Sequence, residues 1–163
     1  MGKPQVNVQG EMSLIAEWLL SLPDTWTKTT HVKVGEQLLS YRGVALTPLQ
    51  AQRFSQWSTW ADARVVTPTE IWIVEGKLVA DGGAYGQALD YANDYPLSAD
   101  AKLWPDRAVV PLVVAQAVRP RTAAYFATLG VRTILFQPSF NLAQSLQKLF
   151  QSAQILDFPA TSG

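Results

Sequence analysis

The stretch TPTEIWIVEGKL, Thr67 to Leu78, constrains this chain more than any other. From Ile71 to Val74 it is apolar and rich in β-formers, the pattern of a strand buried on both faces. That strand then carries Glu75 and Lys77, where charge is costly to bury. Residues two apart on a strand point to the same side, so this acid and base share a face. The preceding run ADARVV, residues 61–66, also reads as a strand, and TPTE between them supplies turn chemistry. A four-residue loop on a type I turn, with Pro68 in its second position, pairs Val66 with Ile71. In that register Asp62 falls opposite Glu75, with Cβ atoms roughly 5 Å apart. A slip of one residue sends Asp62 to the other face.

The remaining elements follow from periodicity and punctuation. EMSLIAEWLLSL (11–22) sets Met12, Ile15, Trp18, Leu19 and Leu22 on one helical face and stops before Pro23. TTHVKV (29–34) reads as a strand, and 47–59 as a helix with Thr47 as cap and Pro48 as its first residue. Gly82 and Gly83 open a helix that ends before Pro96. AVVPLVVAQA (108–117) is a buried strand in which Pro111 predicts an edge or a bulge. PRTAAYFATLG (120–130), VRTILF (131–136) and NLAQSLQKLFQSA (141–153) read as helix, strand and amphipathic helix. Strands apolar throughout need cover on both faces. The expectation is an α/β (α+β) three-layer domain, its mixed sheet combining a hairpin with a parallel, right-handed β–α–β crossover.

At 163 residues the chain reads as one domain, residues 1–163, with a core sufficient to bury about two-thirds of its unfolded surface. No apolar run is long enough to span a membrane, so no membrane partner is expected. The N-terminus lacks a signal-peptide layout and cysteine is absent, so a cytoplasmic setting is expected and thiol or Cys-zinc chemistry is excluded. Thirteen acids balance thirteen bases, so a nucleic-acid partner requires a local basic patch.

Two facing carboxylates repel and need a positive partner. One reading is structural, with Lys77 neutralising Glu75 and Arg64 facing the same side. The other adds a divalent cation such as Mg²⁺ or Mn²⁺, which takes one or two carboxylates plus water and phosphate oxygens. Lys77 then polarises a water or stabilises developing charge.

Asp62 followed by Glu75-Gly76-Lys77 on a hairpin resembles the signature of the PD-(D/E)xK nuclease superfamily. Gln87 and Tyr91, four apart on the next helix, are similar to the Gln-xxx-Tyr motif of its RecB-type members. Glu17 resembles the first-helix acid with which resolvase-like members complete the metal site. The resemblance covers roughly residues 11–137, with an insertion at about 35–61, and departs from the pattern at Ala61, where the family often has proline. It implies a restriction-endonuclease-like fold and a Mg²⁺-dependent nuclease that hydrolyses DNA phosphodiesters. Asp62 and Glu75 hold metal, joined by Glu17, Lys77 assists the water, and Gln87 and Tyr91 support the site. It also implies an origin in a phage or other mobile element.

Each assignment has a plainer counterpart. Tyr91 on an amphipathic helix also suits a core, Glu17 off the apolar stripe suits solvation, and His31 reads as structural. Trp57 and Trp60, just before Asp62, suit stacking on bases, but core packing is the plainer reading. Lys28, Lys33, Arg53, Arg64, Arg119 and Arg121 form a candidate phosphate rim for DNA, though each alone suits a solvated surface. The rival function is a non-enzymatic structural or connector role in a phage particle or other assembly, homo-oligomeric or within a virion.

Overall fold

The computed structural model describes residues 5–35, 40–41, 44–55 and 59–139, and at 5–9, 40–41, 52–55 and 59 the backbone alone. The helix expected over 141–153, Trp57 and the Arg53 side chain lie outside the described residues. The elements are α1 (Gln5–Ser21), β1 (Thr27–Val34), a short ladder of β2 (Ser40–Tyr41) with β3 (Val44–Ala45), and α2 (Pro48–Ser55). There follow β4 (Thr59–Val66), β5 (Glu70–Ala80), α3 (Gly82–Asp94), two 3-10 turns, β6 (Ala108–Val118), α4 (Pro120–Thr128) and β7 (Arg132–Leu135). Among the described residues no helix is long and apolar enough to cross a membrane.

The chain is an α/β protein with a mixed five-stranded sheet in the order β1-β4-β5-β6-β7. β4 pairs antiparallel with β1 and β5, whereas β6 lies parallel to β5 and β7. The hairpin has the register read from its turn, with Val66 opposite Ile71 and Ala63 opposite Val74. Thr67 closes the turn: its N–H donates to the Glu70 carbonyl, and its hydroxyl oxygen accepts from the Glu70 N–H.

Alternation along the central strands explains their uninterrupted apolar sequence. Val74, Leu112 and Val114 pack beneath Leu14, Ile15, Trp18 and Leu19 of α1. Ile71 and Ile73 face Ala92 and Tyr95, and Val113 and Ala115 face Ala84, Tyr85 and Ala88 of α3. Successive residues thus serve opposite layers, which is why these stretches are apolar without alternation.

Three expectations are revised. The first helix begins at Gln5, and its Met12 is exposed. The second helix ends at Ser55 rather than continuing to Thr59, which begins β4. Pro111 lies in an interior strand, not at an edge. Its tolerance has a local reason: pairing with β7 begins only at Leu112, so Pro111 is flanked by β5 alone.

α1 packs tightly over β5 at Gly76, where an added Cβ would stand 2.5 Å from Ile15 Cγ1. Ile15 is itself buried in the core under α1, so either it or the helix must shift. Gly76→Ala is therefore expected to lift α1 off β5 and lower stability by ~1–3 kcal/mol. Urea unfolding measures this, and an unchanged midpoint would refute the contact.

Candidate active site at the fork between β4 and β5

The functional geometry begins where the ladder stops. β1–β4 pairing runs on to Thr59, and β5–β6 pairing to Ala80. β4–β5 pairing ends at Ala63–Val74, one pair short of Asp62–Glu75. Ala63 packs with α1, but Ala61 packs with Val32, Val34 and Tyr95 on the other layer. Two odd-numbered positions of one strand thus serve opposite faces, so the alternation breaks at Asp62. The side chain of Asp62 enters the gap, and its Oδ2 accepts a hydrogen bond from the Gly76 N–H at 2.8 Å. A carboxylate thereby replaces the backbone partner that Gly76 loses when the strands separate.

Glu75 and Lys77 stand on the β5 side of this fork. Lys77 Nζ lies 3.3 Å from Glu75 Oε1 and 3.2 Å from Glu11 Oε2. The three side chains are largely withdrawn from water, Glu75 most of all at 6% exposure. Tyr91 completes the group from α3. Asp81, whose side chain accepts from the Ala84 N–H at 3.1 Å, fixes where that helix starts. Burial pushes the Tyr91 hydroxyl pKa up, and the negative charges of Glu75 and Asp62 push it further, against a smaller opposing pull from Lys77. Tyr91 therefore senses all three signature residues. Gln87 stands exposed one turn earlier on the same helix.

The first-helix acid at the site is Glu11, not Glu17. Glu17 Oε2 instead accepts from the Ser139 N–H at 2.6 Å, tying α1 to the chain beyond β7. Six residues of helix separate the two acids by about 9 Å and most of two turns, so they cannot share a target. A sequence signal for Glu11 existed: residues 11, 15, 18 and 22 form one stripe, and an acid on a core-facing stripe is anomalous.

The candidate phosphate rim is also rearranged. Arg64 is buried, and its guanidinium bonds Asp100 and, at 2.8 Å, Thr29 Oγ1. Facing the inner layer, it is withheld from a surface phosphate. Lys28 donates to the Leu22 carbonyl at 2.9 Å. Lys33 is half-buried opposite Trp60. Arg119 and Arg121 are exposed just beyond the end of β6, the same end of the sheet as Lys77. Trp60, expected in the core, is 40% exposed.

No family model, curated protein or solved structure matched the chain in comparison. The site's chemistry therefore has to be argued from its own groups. Asp62 at the fork, with Glu75 and Glu11 on either side of Lys77, gathers three carboxyl groups near one ammonium. Carboxyl groups gathered in this way are candidate ligands for a divalent cation. Among the described residues no three His, Asp or Glu side chains form a metal-binding group.

Proposed function

We propose that the protein is a metal-dependent nuclease that hydrolyses DNA phosphodiester bonds at the β4–β5 fork. The observation that carries this reading is the gathering of Asp62, Glu75, Lys77 and Tyr91 where two strands part. The order helix, strand, antiparallel hairpin, helix, parallel strand supports it, because the resemblance to PD-(D/E)xK nucleases implies that order on a restriction-endonuclease-like core. Asp62 and Glu75 would hold Mg²⁺ or Mn²⁺, which would supply Lewis-acid charge neutralisation at a phosphate. Lys77, with its ammonium fixed between Glu75 and Glu11, orients a water for attack and offsets charge growing on the phosphate oxygens. Tyr91, held as a neutral hydroxyl by burial and by the nearby carboxylates, supports the site as a hydrogen-bond donor to the substrate backbone.

The second reading is a structural role in an assembly, with no catalysis. It is favoured by the Lys77–Glu75–Glu11 cluster, which already holds its own ion pairs, and by the zero formal charge of the chain. Incubation of wild-type protein with supercoiled, linear and single-stranded DNA in millimolar Mg²⁺ or Mn²⁺ separates the two. Cleavage is expected, together with a melting temperature that rises with the logarithm of metal concentration. Intact DNA and a melting curve indifferent to either metal would leave only the structural reading.

A further inference from the structure

Beside the fork lies a surface feature that the site chemistry does not use. The imidazole of His31 and the indole of Trp60 stack with ring centroids 4.5 Å apart and planes 10° from parallel. Both residues are exposed, on the outer strand pair β1–β4. Their position relative to the carboxylates is fixed by register. Thr30 pairs with Ala63 and Val32 with Ala61, which sets His31 opposite Asp62, and Trp60 is two residues before Asp62 on its own strand.

The backbone makes this pair more than a chance surface contact. His31 has φ 54°, and among the described residues it alone, outside glycine, occupies the left-handed region. Histidine tolerates that region better than most residues, yet glycine would take it without strain. Such strain persists where the surrounding structure enforces it, and it clusters at functional sites. Here it turns the imidazole flat against Trp60, in water, where aromatic area is least rewarded by folding. An exposed, flat, preformed aromatic stack beside a phosphate-directed site suits one ligand chemistry, the face of an unpaired nucleobase. Lys33, directly across from Trp60, adds a cation for the backbone of that strand.

We propose that the His31–Trp60 stack is a base-stacking platform that directs the fork toward single-stranded nucleic acid. A paired base buries its faces within the duplex and cannot use such a platform unless flipped or unwound. The proposal rests on the nuclease reading for its choice of ligand, but binding can be measured without catalysis.

The test uses oligothymidylate and a duplex of equal length in EDTA, with fluorescence anisotropy as the readout. Wild-type protein is expected to favour the single strand. Trp60→Ala should weaken that binding roughly 5- to 100-fold, and Trp60→Phe should restore most of it. His31→Gly gives the sharper contrast: relief of strain should leave the melting temperature equal or higher, while single-strand binding falls. A purely structural stack would instead lose stability in His31→Gly. Single-strand binding unaffected by Trp60→Ala, a preference for the duplex, or no binding to either oligomer overturns the platform. With metal restored, continued DNA cleavage in those cases leaves the nuclease reading standing. Trp60-dependent binding without cleavage in any metal supports the platform and removes the nuclease.

Discussion

Lys77→Ala is expected to reduce metal-dependent DNA cleavage by at least ~10²-fold, the usual loss when a preorganised charge is removed from a transition state. Divalent-cation binding should survive, because the ion would rest on Asp62 and Glu75 rather than on the ammonium. Asp62→Asn should behave differently. The amide oxygen of asparagine can still accept from the Gly76 N–H, so the fork keeps its shape. The charge is gone, however, and both metal binding and cleavage should go with it. Stability without metal should hold or rise, since one of several crowded carboxylates has been neutralised. Cleavage and calorimetric metal titration on the same two variants check the assignment. An Asp62→Asn protein that cleaves like wild type would remove Asp62 from the chemistry altogether.

The largest stability effect is expected at Asp100. Arg64 is 6% exposed and its guanidinium is bonded to Asp100, which also accepts from the Tyr95 hydroxyl. Asp100→Ala would leave a buried cation without its counter-charge. The side chain of Asp100 keeps 29% exposure, so water can partly replace it. The loss should therefore fall toward the lower end of the ~3–5 kcal/mol typical of a broken buried pair. Replacing both partners, Arg64→Met with Asp100→Leu, should recover much of that loss, because no unpaired charge remains. Urea denaturation of the single and double variants tests this, and a near-neutral Asp100→Ala would refute it.

The same pair fixes a pH dependence. Burial by itself would raise the Asp100 carboxyl, but the hydrogen bonds from Arg64 and Tyr95 outweigh it and hold the carboxyl below its ordinary range. The folded state then binds that proton less readily than the unfolded chain. Its contribution is full above the ordinary carboxylate range and is lost as pH falls through the depressed folded value.

Much of the hairpin was legible in the amino-acid sequence, because its information is local. A four-residue turn with Pro68 sets the pairing of Val66 with Ile71, and a two-residue side-chain period carries that register along the strand. The uninterrupted apolar strands likewise announced a sheet covered on both faces, and Gln87 and Tyr91 stood four apart on one helix from the start. Asp62, Glu75, Lys77 and Tyr91 could be named together for that reason.

What the sequence could not carry was everything set by contacts between distant segments. Register predicts Asp62 facing Glu75 across a continued ladder, yet the strands part there, because β4 stays with β1 while β5 stays with β6. Asp62 then caps Gly76 instead of completing a cross-strand pair. The meeting of Glu11, not Glu17, with Lys77 depends on how α1 lies over β5, where Ile15 sits against Gly76. Arg64 read as a surface cation until the turn after α3 brought Asp100 against it. The stack of Trp60 on His31 accompanies a left-handed backbone at His31, a state that no periodicity encodes. Local pattern determined which residues form strands and which side chains share a face. Packing between elements remote in the chain decided which of those side chains meet, because a long-range contact depends on several segments at once and is written in none of them alone.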